Sequence, residues 1–180
     1  MIYIIEGVDG AGKTTFIDDK KAKFCGEKLP KSFKRIKLPA HYPHYKMAYE
    51  KFLNEELTLS EYMGFIYGEH ITILTDLILA NPEENYVLDR SFISFLVYQE
   101  QEIKDLYFKT GIDYRYNLFQ AFKFLCEKKD VKVLLFQHIF EDKQENHLEK
   151  RDKTKIKQKF LEICEELKAR NNMILVKGEN

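Results

Sequence analysis

Short apolar runs recur along the chain between longer stretches of helical period. Met1 to Glu6 is an apolar run ending in a glycine turn and predicts a buried strand. Lys13 to Cys25 predicts a helix. Arg35 to Leu38, ending at Pro39, predicts a second short strand. Tyr45 to Leu57 follows helical period. A longer helix is predicted from Ser60 to Ala80, with Ser60 as its cap and Pro82 as its stop. Tyr86-Val87-Leu88-Asp89 predicts a third strand. Helices are predicted over Ser91 to Tyr107 and Tyr114 to Lys128, and Val131 to Gln137 is the clearest fourth strand. A polar, charged stretch from Glu141 to Lys155 leads into a helix reaching Arg170. A last strand is predicted at Met173 to Val176.

Strands alternating with helices require crossover connections and hence a parallel sheet. The expected fold is α/β: five parallel strands flanked by helices in three layers. The 180 residues suffice for one domain with a real core, and 44% hydrophobic and 14% aromatic residues exclude a disordered chain. No internal repeat, low-complexity tract or Gly/Ser/Pro linker divides the chain, so residues 1–180 read as a single domain. In such sheets ligands gather at the carboxyl ends of the strands.

Charge narrows the partners. The 29 basic residues balance the 29 acidic ones, which argues against a general nucleic-acid or membrane-surface binder. Any phosphate binding must be local. No run approaches the roughly 18 to 20 apolar residues of a membrane span, and Glu6 follows the first apolar run too soon for a signal peptide. Cys25, Cys126 and Cys164 fit neither a disulfide framework nor zinc spacing, so a reducing cytoplasm is the expected location. His41 and His44 flank Pro43 without a carboxylate pattern that would make a metal site. Lysine supplies most of the positive charge. Arg35, Arg90, Arg115, Arg151 and Arg170 are therefore the better clues to bidentate phosphate recognition.

Gly7-Val8-Asp9-Gly10-Ala11-Gly12-Lys13-Thr14 matches G-x-x-x-x-G-K-[ST] in full, with a strand before it and a helix after it. This is the P-loop pattern, so the expected architecture is the P-loop NTPase fold. Glycines let the backbone wrap a phosphate and aim N–H groups at it, and the helix N-terminus adds a favourable dipole. Gly10, Ala11, Gly12, Lys13, Thr14 and Thr15 are the expected ATP-binding residues. Lys13 reaches the β/γ-phosphates and the Thr14 hydroxyl holds Mg²⁺. Asp9 has two readings. A carboxylate in a phosphate cradle needs another partner, such as a sugar hydroxyl of an acceptor nucleotide, or else it is a solvated turn acid.

Ile5-Glu6-Gly7-Val8-Asp9-Gly10-Ala11-Gly12-Lys13-Thr14-Thr15 resembles the P-loop of thymidylate kinases. Val87-Leu88-Asp89-Arg90-Ser91-Phe92-Ile93-Ser94, followed by Tyr98-Gln99, is similar to the family's strand-end Asp-Arg with a serine and a Tyr-Gln on the next helix. The order and spacing of the two blocks also match. The resemblance extends plausibly over residues 1 to 175 and is weak over residues 39 to 60 and in the charged stretch. It implies phosphoryl transfer from ATP–Mg²⁺ to a deoxynucleoside monophosphate. Asp9 would bond the acceptor's 3′-hydroxyl, Arg90 would clamp its monophosphate, and Asp89 would sit near Mg²⁺. Phe65 would stack on the base, Ser94 and Gln99 would lie near the base edge, and Tyr98 would disfavour a 2′-hydroxyl. A homodimer is expected by resemblance.

The residues alone support the same reaction, because phosphoryl transfer needs a donor cradle, a metal and an acceptor-phosphate clamp. Arg90 stands at a strand's carboxyl end beside Asp89; its alternative is a structural Asp-Arg pair. Phe65 is equally readable as core.

Three departures from the family pattern matter. Where the family places an arginine after the stacking Phe, this chain has Glu69. A carboxylate accepts and cannot donate at neutral pH, which suits an exocyclic amine or an added hydroxyl rather than a thymine carbonyl. The alternatives are a different register or a solvated helix acid. On the acceptor side after the second strand the chain has Leu38-Pro39-Ala40-His41 and no arginine. Gly10 and Ala11 stand where one branch of the family carries a catalytic arginine. The other branch uses lid arginines, which sends the search to residues 141–155. There Arg151 is nominated first and Lys150 second, with Lys143 and Lys153 alongside.

Two other classes stay open. A deoxynucleoside kinase would want a carboxylate base near the 5′-hydroxyl, and Leu38-Pro39-Ala40 offers none. A nucleotide-binding module without turnover would fit the arginine-poor lid. The lysine-, isoleucine- and asparagine-rich composition suits an AT-rich genome and the length suits a phage, which would place the protein in a host cytoplasm.

Overall fold

The structure, a computed structural model, describes residues 1–38, 41–139 and 147–179, with side chains of the last segment described from residue 152 onward. Its centre is one sheet. Strands β1 (Ile2–Gly7), β2 (Lys34–Lys37), β3 (Tyr86–Asp89), β4 (Val131–Phe136) and β5 (Ile174–Gly178) lie in the order β2-β3-β1-β4-β5, and every neighbouring pair is parallel. Helices α1 (Lys13–Asp18), α2 (Pro43–Leu53), α3 (Leu59–Leu79), α4 (Phe92–Tyr98), α5 (Glu100–Thr110), α6 (Tyr114–Lys128) and α7 (His147–Arg170) flank it. The fold is α/β, compatible with three layers. No helix among the described residues is long and apolar enough to cross a membrane.

The central strands are apolar throughout because a parallel sheet is covered on both faces. Ile4, Ile5, Val87, Val133 and Leu134 are fully buried, packed with Leu77 of α3, Phe92 of α4, Phe122 of α6 and Phe160 of α7. The edge strands are more exposed and carry Lys34, Lys37 and Lys177, which discourage pairing with another chain.

The helix boundaries differ from those predicted, each for a local reason. The first helix stops at Asp18 rather than Cys25, because Asp19 is already extended. The chain then makes a small bridge between Phe24 and Glu27. The cap of α3 is Thr58, not Ser60: its hydroxyl accepts from the Glu61 N–H while the Glu61 carboxylate accepts from the Thr58 N–H. Pro43 starts α2 earlier than the helical period does, at the first-turn position where its missing N–H is harmless. The single helix expected over Ser91 to Tyr107 is two, α4 and α5, broken at Gln99.

The order of strands locates a crevice. From β1 the chain proceeds toward the β2 edge, and from the adjacent β4 toward the β5 edge, so the carboxyl ends of β1 and β4 form the switch point where ligands bind in such sheets. Gly7 sits at that point, paired with Phe136 at a φ of 136°. A Cβ on Gly7 would collide with the Phe136 carbonyl, so β1 must end on glycine if β4 is to stay alongside it.

Candidate functional site

After β1 the chain turns through residues 8–12 into α1. Gly10 and Gly12 both have positive φ, at 76° and 88°, and Gly12 serves as the helix N-cap. Lys13 is buried, with its ammonium curled back into the loop. It donates to the Gly7 carbonyl at 2.8 Å and the Val8 carbonyl at 2.5 Å. Burial, and next the charge of Arg90, pull the Lys13 ammonium down to about 8. Thr14 and Thr15 are exposed on the first turn of α1, which carries no acidic residue. The loop thus combines glycine backbone with a lysine folded inward, and two exposed hydroxyls follow on the first turn of the helix.

Beside this loop opens a cleft of about 290 Å³ lined by Asp9, Arg90, Ser94, Tyr98 and Gln99, with Leu38, Ile66 and Phe95 as apolar wall. Five residues nominated from two separate sequence blocks thus meet in one cavity. Arg90 follows β3, has a φ of 74°, and anchors its N–H on the Ile5 carbonyl of β1. Such a backbone is strained for a residue with a Cβ, and strained residues concentrate at ligand sites. Its guanidinium pairs with Asp9 and lies 5.9 Å from the Tyr98 ring centre. Burial lowers its proton affinity, yet Asp9 and then Glu6 hold it above the ordinary value, so it stays cationic.

Glu6, quoted within the first block and given no role, is the hidden support. It is fully buried at the end of β1 and accepts from the Ser91 N–H, the Ser91 hydroxyl and the Ser94 hydroxyl, each at 2.6 Å. It locks the start of α4 to β1 and so fixes the segment that carries Arg90. Burial raises its carboxyl above the ordinary value, against the pull of the two serines. The signal for it was present: a carboxylate closing an apolar strand must find donors inside the protein.

Asp89 is turned elsewhere. Its carboxylate is buried and paired with Arg35 of β2, which also bonds Asp18 at the end of α1 at 2.6 Å. Among the described residues no cluster of three His, Cys, Asp or Glu is placed to hold a metal.

Helix α3 differs from expectation by one residue. Phe65 is 42% exposed and lies outside the cleft, and Glu69 is buried with its carboxylate on the Tyr42 N–H at 3.3 Å. The residues that line the cleft are Ile66 and His70. Neighbouring positions on a helix are about 100° apart, so one step of register exchanges the face. His70 is buried and packs on Phe95 with ring centres 5.3 Å apart, and burial pulls its imidazole down to about 3. His41 is exposed and packs edge-on against Tyr42. The lid nominations behave differently: Lys143 falls outside the described residues, and the side chains of Lys150 and Arg151 do as well, while Lys153 lies on α7.

No protein-family model matches the chain, and no curated protein matches it.

Proposed function

We propose that the chain is a deoxynucleoside monophosphate kinase of the thymidylate kinase type, built on the P-loop NTPase fold. It would transfer the γ-phosphoryl of ATP to the 5′-phosphate of a deoxynucleotide, giving ADP and a deoxynucleoside diphosphate. The observation that carries the reading is the pairing of Asp9, inside the glycine loop, with Arg90 across a cleft beside Lys13. A donor cradle and an anion clamp would then lie next to each other, joined through Asp9, as transfer between two anions requires.

In this reading Lys13 leaves the Gly7 and Val8 carbonyls for the β/γ-phosphates, and Arg90 exchanges Asp9 for the acceptor phosphate. Asp9, released, takes the sugar 3′-hydroxyl. An acceptor phosphate is already an anionic nucleophile and needs no base, in keeping with a cleft wall of Leu38, Ile66 and Phe95. The Thr14 hydroxyl fits Mg²⁺, a hard cation content with one or two protein oxygens plus phosphate and water. Asp89 has Arg35 as its partner and would act through water. The ion would neutralise charge on the donor phosphates. Arg151 remains the nominee for the charge on the transferring group.

ADP release with ATP and single acceptors tests this. Turnover with deoxynucleoside monophosphates supports it. Turnover with nucleosides alone indicates a nucleoside kinase, and ATP binding with neither indicates a non-catalytic module. Arg151→Ala is expected to lower kcat at least about a hundredfold, and near-normal kcat would remove that nomination.

A further inference from the structure

The floor of the cleft contains a polar group without a polar partner. His70 is 5% exposed and lines the cleft beside Ile66 and Phe95. Its ring packs on Phe95, and its imidazole hydrogen-bonds none of the described residues. Only Arg35 Nε and Asn171 Oδ1 are fully buried side-chain atoms without a partner among the described residues, so the unpaired imidazole edge of His70 reaches the cleft surface, where a ligand can meet it. Gln99, at the break between α4 and α5, lines the same cleft, and its side-chain amide likewise bonds no described residue. Arg90 and Asp9 stand at the charged side of the cavity, beside the loop. A ligand with its anion on Arg90 and a flat polar-edged group between Ile66 and Phe95 would complete both groups.

We infer, building on the kinase reading, that His70 reads the acceptor base, with Gln99 beside it, and that the acceptor site admits both keto and amino bases. The argument is one of donor and acceptor capacity. A neutral imidazole has one N–H and one bare nitrogen, and its tautomer follows its partner. An amide offers either end by rotation about its last torsion. An arginine at the same place could only donate and a carboxylate could only accept. His70 stays neutral across the physiological range, because burial holds its imidazole near 3. Neither group therefore commits the cleft to a carbonyl or to an exocyclic amine. The register of α3 matters here, because Glu69, which would have favoured amines, is turned to Tyr42 instead.

The test is equilibrium binding of dTMP, dCMP and base-free 2-deoxyribose 5-phosphate to the intact protein, to His70→Leu and to Arg90→Ala. The wild type is expected to hold dTMP and dCMP within about tenfold of each other and both more tightly than the base-free compound. His70→Leu should lose about tenfold on each nucleotide, the equivalent of one hydrogen bond. It should keep the affinity for deoxyribose 5-phosphate and unfold no more easily than the wild type, because the imidazole has no internal bond to lose. Arg90→Ala should weaken all three ligands alike. Unchanged nucleotide affinities in His70→Leu overturn the inference while leaving the kinase reading intact, as does a wild-type preference between dTMP and dCMP well beyond tenfold. Failure of the wild type to bind any of the three removes the kinase reading and the inference with it. Should His70→Leu not fold, His70→Gln decides. A changed ratio of dTMP to dCMP affinity upholds the role of position 70, and an unchanged ratio overturns it.

Discussion

The Asp9 carboxylate, in the loop after β1, pairs with the Arg90 guanidinium, immediately after β3, so two neighbouring strand ends are tied across one cleft. Asp9 is 72% exposed, and a pair so placed contributes about 1 kcal/mol or less. An incoming phosphate can displace it. Arg90→Ala should therefore lower kcat/KM for the acceptor about a hundredfold or more, with ATP affinity kept. Asp9→Asn, which removes one hydrogen-bond acceptor, should lower it about tenfold. Steady-state kinetics with each nucleotide varied separates the two, and a larger loss in Asp9→Asn would reverse the roles.

Arg90 also supplies a test of backbone strain. Its φ of 74° suits glycine. Arg90→Gly relieves the strain and Arg90→Ala keeps it, although both remove the side chain. Arg90→Gly should be the more stable of the two by about 1 kcal/mol, read from urea unfolding midpoints. Equal midpoints would mean that the strain is absent.

Gly7 and Gly10 both lie in the glycine loop and should respond differently to alanine. At Gly7 the new methyl meets the Phe136 carbonyl, so β1 and β4 must part. Gly7→Ala should destabilise by more than about 3 kcal/mol or fail to fold. Gly10 has open space around it and only its positive φ to resist the change, so Gly10→Ala should cost about 1 kcal/mol. Thermal unfolding of the ligand-free proteins measures both.

The sheet was legible because apolar runs bounded by turns are a strong signal, and because the glycine loop and the Asp89-Arg90 block stand at strand ends. Arg90, and Asp9 in one of its two readings, could be grouped by chemistry, while Ser94, Tyr98 and Gln99 joined them only through the resemblance to thymidylate kinases. Phe65 and Glu69 could not be placed the same way. A helix buried on more than one face gives a weak phase: α3 buries Met63, Glu69, His70 and Ile73 together, so Ile66 and His70 were as eligible as their neighbours. The break at Gln99 was illegible because Glu100 and Gln101 are good helix formers. Glu6 was in view but unweighted, since its donors are distant in sequence.

On the proposed reading, Lys13 would set a pH limit on donor binding. A triphosphate favours the charged ammonium, whose native value is about 8 in the ligand-free protein. Below that pH the lysine is charged before binding and affinity is flat. Above it, binding must first restore a proton, and affinity falls up to tenfold per pH unit. Calorimetry between pH 7 and 9.5 should show this slope with proton uptake, and Lys13→Ala should bind weakly with no slope. A slope that survives in Lys13→Ala would assign it to another group.

Glu6 should reveal itself in stability. Removing its carboxylate strands the Ser91 N–H and two serine hydroxyls inside the protein, so Glu6→Ala should lose about 3–5 kcal/mol. Its native carboxyl is raised by burial above the ordinary 4.5, so between about pH 4.5 and that native value the folded chain holds a proton that the unfolded chain has released, and above it Glu6 is the carboxylate. The stability from this group is complete below about pH 4.5 and is lost as pH rises through the native value. Glu6→Gln should abolish that slope. Denaturant titrations at a series of pH values read it directly, and an unaltered slope would assign it elsewhere.

That same carboxylate feels both Lys13 and Arg90, which in turn repel each other. It acts as a common ground for cations that would serve two different molecules. On the proposed reading, an anion bound at either cation would change the field that Glu6 and the other cation feel. A change at position 6 would then alter the affinities for donor and acceptor together, through charge rather than through any bond of its own.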